Sequence, residues 1–443
     1  MGEPSRPPTS LVRETLAFAV PTLATLIAEP VFLAADSVIV GHLGIAQLGA
    51  LATASAILTL VTSSFIVLAY GTTSRVARLI GAGNAAGAFE VGVASTWAAV
   101  ILGAILSAVL ALFGREALVL LKTPSEVLPF AVVYLKISAI GVPFVLLSLA
   151  GIGVLRGVGN SRGPMQIQVA GYLLNIVLNL WLVWGVGLGI AGSALGTVLS
   201  QAALAAAYFV MVRKLARSRQ VSLKPHLGGI ANIFATGVSL IVRTVSFRIA
   251  ILLATWVAES LGTVSLAAFG AAMTVWTVVV FVLDSVAIAA QVSFAKSVGA
   301  GRLQEARDAT VTFMRLAVVF GLVTGAVLAA FAWVIPGAFV TDPTTRRLIT
   351  NLLLIEAILQ PLASLAFMLD GILIGVGDFT YLGFAAVASL GAFVPGALEV
   401  RYVFHNAQSL WIAIGIFMLA RVATLASRIG QRDWLAWPNK GTK

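Results

Sequence analysis

The chain has 443 residues, of which 60% are hydrophobic and 10% are charged, against about 25% charged in an ordinary soluble domain. That composition excludes a soluble globular protein, a disordered chain and a nucleic-acid-binding domain, even with a net charge of +11. Cysteine is absent, so no disulfide, thiolate nucleophile or Cys-ligated metal is possible. His42, His226 and His405 stand in no ligand spacing, so no metal site is expected.

Apolar runs separated by turn-like or charged clusters predict twelve spans, near residues 14–38, 47–72, 87–113, 126–155, 164–186, 190–212, 230–258, 264–295, 307–334, 348–374, 380–400 and 407–429. Each is long enough to cross a bilayer as a helix, and too long and continuous for barrel strands. Residues 1–10 are polar and Pro-rich, and no small-residue cleavage site closes the first run. It reads as a membrane helix rather than a signal peptide.

Ionisable groups inside membrane spans are costly, so each is a functional candidate by default. The first span carries Glu29 and Asp36, with Phe32 one turn before Asp36. Apolar neighbours penalise the charged form of Asp36, which suits it to take up and release a proton or cation. Pro21 and Pro30 each remove a backbone donor from the same helix, so it is expected to kink. In the fifth span Asn175 and Asn179 are four residues apart and share a face; Thr197 and Gln201 do the same in the sixth. These polar stripes fit either a site or interhelical hydrogen bonds. The seventh span holds Arg243 and Arg248, for which Asp284, Glu356 and Asp370 are possible counter-charges. A structural ion cluster and a substrate cavity both fit that set. No GxxxxGK[ST], HExxH or GxSxG motif is present, so no enzyme is expected.

Lys and Arg are distributed 19 to 5 between the two sides of this arrangement. The richer side includes Arg6, Arg13, Arg75, Arg78, the run Arg213 to Lys224, Arg302, Arg421, Arg428, Arg432, Lys440 and Lys443. The bias predicts an even number of spans with both termini cytoplasmic. Three segment pairs recur at one offset of 218 positions: LGIAQLGALATA (43–54) with LGTVSLAAFGAA (261–272), IGAGNAAGA (80–88) with VGAGRLQEA (298–306), and GVLRGVGN (153–160) with GILIGVGD (371–378). A single register across three anchors implies an internal duplication. The expected fold is an all-α membrane protein of twelve helices in two six-helix bundles, related by a pseudo-two-fold axis along the membrane normal. The N-lobe would be residues 1–212, the cytoplasmic linker 213–229, and the C-lobe with its basic tail 230–443. Position 254, the repeat equivalent of Asp36, is Ala, so the polar chemistry is divided unequally.

Together these features resemble the multidrug and toxic compound extrusion (MATE) family. The resemblance rests on Pro21 through Asp36 followed by Val40-Gly41-His42-Leu43-Gly44, on RGVGN at 156–160 and on NIVLN at 175–179. DGILIGVGD at 370–378 and the arginine-bearing seventh helix resemble the DNA-damage-inducible protein F (DinF) branch. The resemblance implies an inner-membrane drug/cation antiporter with two lobes forming a V, acting on amphipathic or cationic small molecules in the lipid bilayer; nothing in the sequence demands an oligomer, and a monomer is expected. It implies that Asp36 binds the proton or cation, with Asn175 and Thr197 in its network and Pro21 at the bend. Asn179 replaces an Asp of related members, which favours Asp36 alone and proton coupling over sodium. Phe32, Gln201, Arg243, Arg248, Asp284, Glu356 and Asp370 are the substrate-cavity candidates. No cofactor beyond the proton motive force, or sodium, and no nucleic-acid partner is expected. A lipid-linked-precursor flippase and a membrane-embedded enzyme are the rival readings.

Overall fold

The computed structural model describes residues 8–431 and 434–435. Arg6, Arg432, Lys440 and Lys443 of the charge distribution lie outside them. The described residues form fourteen α-helices and no strand: α1 (Pro8–Gly41), α2 (Ile45–Ser63), α3 (Val67–Gly81), α4 (Ala85–Leu120), α5 (Leu128–Ala139), α6 (Val142–Val158), α7 (Arg162–Leu180), α8 (Gly189–Ser218), α9 (Leu227–Ser260), α10 (Thr263–Gly299), α11 (Leu303–Phe331), α12 (Pro343–Val376), α13 (Phe379–Glu399) and α14 (Ala407–Ile429). With α2 and α3 together forming one span (Ile45–Gly81), the described residues hold eleven helices long and apolar enough to cross a membrane, or twelve when α5 and α6, bent by 47° at their junction, count as one. The predicted breaks at Gly185–Gly189 and Leu261–Val264 both separate helices.

The chain divides into two compact units. The N-unit is Val20–Gly237; the C-unit is the residues up to Ala19 together with those from Val238 onward. The division falls inside α1, between Ala19 and Val20, and inside α9.

Each unit uses the same internal packing. In the N-unit α6 lies against α3 and α4; in the C-unit α12 lies against α10 and α11. Transmembrane helices approach closely where small residues line the contact. A Cβ on Gly153 or Gly157 of α6 would meet the carbonyls of Ala69 and Thr73 at 2.8 Å and 2.9 Å; on Gly371 or Gly375 of α12 it would meet those of Ala287 and Gln291 at 2.6 Å and 2.9 Å. Gly103 backs onto Pro143 in the N-unit, and Gly321 onto Pro361 in the C-unit. Every one of these partners is displaced by the same 218 positions. The turns repeat too: Gly83 (φ 75°) and Gly159 (φ 98°) match Gly301 (φ 72°) and Gly377 (φ 90°). The left-handed region they occupy favours glycine.

The halves differ where their sequences do. Pro143 opens α6 after a break, whereas Pro361 lies inside a continuous α12. The N-unit has Gly141 two residues before its proline, and the C-unit has Leu359 there. A Gly beside a Pro lets the helix bend sharply, while Leu holds it in line.

Candidate functional site

Asp36, on α1 within the N-unit, is 1% exposed. A buried carboxylate must be hydrogen-bonded. Its Oδ1 accepts from Asn179 Nδ2 at 2.7 Å and from Ser193 Oγ at 2.8 Å; its Oδ2 accepts from the Tyr134 hydroxyl at 3.3 Å. All three donors are neutral. They come from α7, α8 and α5, so one acid ties α1 to three other helices.

The network extends along α7 and α8. Asn179 Nδ2 also donates to Asn175 Oδ1 at 3.0 Å. Asn175 Nδ2 donates to Ser200 Oγ at 3.0 Å and to Thr197 Oγ1 at 3.3 Å, and Ser200 closes onto the Thr197 carbonyl at 2.9 Å. Asn175 and Asn179 are both buried, as their shared helix face requires. Asn179 Oδ1 is buried without a hydrogen-bond partner. Gly196 leaves room for that amide, since a Cβ there would stand against Asn179 Oδ1.

Asp36, Asn175, Asn179 and Thr197, four residues singled out in the sequence, are therefore brought together. Phe32 is buried and stacks on Tyr172 with ring centroids 5.1 Å apart. Gln201 instead turns to the α5–α6 bend, against Gly141. Pro21 is buried inside α1, and Thr25 Oγ1 donates to its carbonyl at 2.9 Å. The sequence reading missed Tyr134, Ser193 and Ser200. Ser193 and Ser200 had a signal, because they fall four before and three after Thr197 on one face of α8. Tyr134 had none, lying 98 positions from Asp36.

The C-unit places Arg243, Asp284 and Asp370 in a second cluster. Asp370 pairs with Arg243 of α9 and with Arg421 of α14, the latter at 3.4 Å. Asp284 of α10 also acts on Arg421. The two guanidinium groups lie over the Phe247 ring, 4.9 Å and 4.3 Å from its centroid, a geometry that favours a cation against an aromatic face. Arg421, assigned from the sequence to the basic cytoplasmic side, is instead 3% exposed inside α14. Its place against Asp370 and Phe247 accounts for that burial. Arg248, on α9, is half-buried. Glu356, fully buried on α12, is separate in its bonding: its Oε1 meets Gln360 Nε2 at 3.5 Å and its Oε2 has no hydrogen-bond partner. Ala254, equivalent to Asp36, is buried in the apolar core of this unit.

Residues 21–181 and 237–397 each match the MatE family model, one match in either half. Protein DETOXIFICATION 44, chloroplastic, of Arabidopsis thaliana is 31% identical over 446 residues, covering 95% of this chain and 82% of that protein. DNA damage-inducible protein F of Escherichia coli (strain K12) is 26% identical over 423 residues, covering 94% and 91%. Among solved structures, the Vibrio cholerae MATE transporter VcmN in the bent form superposes with a TM-score of 0.87 at 18% identity, covering 98% of this chain and 99% of that one.

Proposed function

The chain belongs to the multidrug and toxic compound extrusion (MATE) family of membrane transporters, and we propose that it is a proton-coupled antiporter exporting amphipathic or cationic compounds across the cytoplasmic membrane. It is a multi-pass transporter, not an enzyme. The reading places both termini in the cytoplasm and the chain as a monomer. The observation that carries it is the environment of Asp36: a buried acid whose three hydrogen-bond partners are all neutral.

As a carboxylate, Asp36 only accepts hydrogen bonds; once protonated, it must also donate one. The acceptor within its network that has no partner is Asn179 Oδ1. A half-turn of the Asn179 amide would present that oxygen to the new hydroxyl. The same turn withdraws Nδ2 from both Asp36 and Asn175, which loosens the ties from α1 to α7 and α8. α1 then bends at Pro21, where the missing N–H has already removed one helix bond. The bend displaces the substrate outward. Deprotonation restores the straight helix and readmits substrate from the cytoplasm or inner leaflet, so proton and substrate use the N-unit in turn.

One finding supports this sequence of events: the two compact units divide within α1 between Ala19 and Val20, one residue before Pro21. Relatives include multidrug resistance protein PmpM of Pseudomonas aeruginosa, 24% identical over 384 residues, and multidrug export protein MepA of Staphylococcus aureus, 24% identical over 348 residues, which supports drug export. The flippase alternative needs a cationic cavity for a pyrophosphate, and the pairing of Arg243 and Arg421 with Asp370 weighs against it.

The test is efflux of a fluorescent cationic dye from proteoliposomes under separate proton and sodium gradients. Export driven by the proton gradient, and abolished in Asp36→Asn at equal reconstitution, is the expected result. Export driven by sodium alone would overturn the coupling ion. No gradient-driven movement of several dyes would turn the reading to a lipid-linked precursor.

A further inference from the structure

The N-unit contains a second feature that proton coupling does not use. A cavity of about 560 Å³ lies between the start of α4 and the segment joining α8 to α9. Its wall is secured: Trp97 Nε1 of α4 donates to the Leu223 carbonyl at 2.9 Å, strapping that segment across the helix. Gly229, in the first turn of α9, packs on Ala94 of α4.

The polar lining is rich in donors. His226 Nδ1 accepts from the Gly229 N–H at 3.0 Å, so the neutral ring carries its proton on Nε2. Arg75 Nη2 donates to Asn232 Oδ1 at 3.0 Å, which leaves the Asn232 amide hydrogens for another acceptor. Lys224 adds an ammonium. The acid that lines the cavity is Glu90. Val91, Ala94 and Ile233 form an apolar wall beside them.

Depth in the membrane follows from helix length. α4 has 36 residues and α9 has 34, about 50 Å or more at 1.5 Å per residue, against a hydrocarbon core of about 30 Å. Both helices therefore extend beyond the hydrocarbon core, and the exposed polar residues Asn84, Lys224 and His226, just before their first turns, mark the end that meets the headgroup layer, where this cavity opens.

We infer that the cavity binds the phosphoethanolamine headgroup of a membrane phospholipid, with Lys224, His226 and Asn232 on the phosphate and Glu90 on the ammonium. A donor set with one acid beside it matches a zwitterion better than a simple anion, because Glu90 repels a headgroup that lacks an amine. Soluble phosphoethanolamine offers the same charges, but the apolar wall fits the glycerol neck of a lipid. This site stands independently of the transport reading.

The experiment uses the purified full chain, delipidated in detergent and titrated separately with phosphatidylethanolamine, phosphatidylglycerol and soluble phosphoethanolamine. Bound ligand is counted by native mass spectrometry. The wild type is expected to retain phosphatidylethanolamine over phosphatidylglycerol. Lys224→Ala should weaken retention roughly five-fold. Glu90→Gln should erase the preference between the two lipids while keeping binding of both. Glu90 and Lys224 are exposed, so neither substitution disturbs the core, and unchanged thermal unfolding checks this. Equal retention of the two lipids by the wild type, or indifference to Lys224→Ala, would overturn the proposal. Soluble phosphoethanolamine binding as tightly as the lipid would overturn the lipid source and assign the cavity to a soluble ester.

Discussion

At the scale of single residues, the position of Asp36 is set by what a buried carboxylate requires. Three neutral donors satisfy it, and each leaves the acid free to change charge without stranding a buried cation. That separates it from Asp370, whose partners are arginines. Gly196 is a silent member of the site. Its substitution by Ala drives a methyl group into Asn179 Oδ1 and pushes the amide away from Asp36. We expect Gly196→Ala to lose proton-driven efflux with Asp36 intact, and to lower stability by about 1–3 kcal/mol through overpacking; dye efflux and thermal unfolding of the purified protein measure the two effects. Asp36, Asn175, Asn179 and Thr197 were legible because helical spacing places polar groups on one face. Tyr134 was not, because its partner lies on a different helix and no local pattern marks a tyrosine as facing an acid.

At the scale of helices, α1 and the C-unit ion cluster make opposite demands. α1 carries Pro21 and Pro30 and yet runs unbroken from Pro8 to Gly41. Pro21→Ala restores a backbone donor, so the straight helix gains stability while the proposed bend becomes harder. The expected outcome is an unchanged or raised unfolding temperature with proton-driven export reduced several-fold, read in the same liposomes. In the C-unit, α9, α12 and α14 are joined through Asp370. Removing it leaves two guanidinium groups facing each other over Phe247. Loss of one partner from a buried ion pair costs about 3–5 kcal/mol. Asp370→Ala should therefore destabilise the protein strongly, whereas Glu356→Gln, an isosteric change at an acid whose hydrogen-bond partner is the neutral Gln360, should change stability little. Comparative denaturation of the two variants checks the contrast. Arg421 shows the limit of reading charge from spacing: its place near the end of the last span suggested a basic flank, and only its neighbours on α9 and α12 reveal a buried role.

At the scale of the whole molecule, two predictions meet. The register of 218 positions, inferred from three short segments, recurs in the Gly–carbonyl contacts of α6 on α3 and of α12 on α10, and in the glycine turns. The charge bias predicts which side each turn faces. Because the chain has no cysteine, single cysteines report this directly. Arg219→Cys, after α8, should react with an impermeant maleimide only after the cells are opened; Thr341→Cys, before α12, should react in intact cells. Labelling in the reverse pattern would invert the topology and the direction assigned to transport.

The number, length and apolar character of the helices, the duplication and the presence of an acid inside the first span follow from composition and periodicity alone, because a bilayer tolerates few patterns of polarity. Which polar groups meet does not follow from them. Ser193 rather than Gln201 reaches Asp36, Arg421 joins Arg243 on Asp370, and a proline breaks one repeat but not the other. Each of these depends on how helices distant in the chain pack, and contacts between them leave no periodic trace in either strand of sequence that makes them.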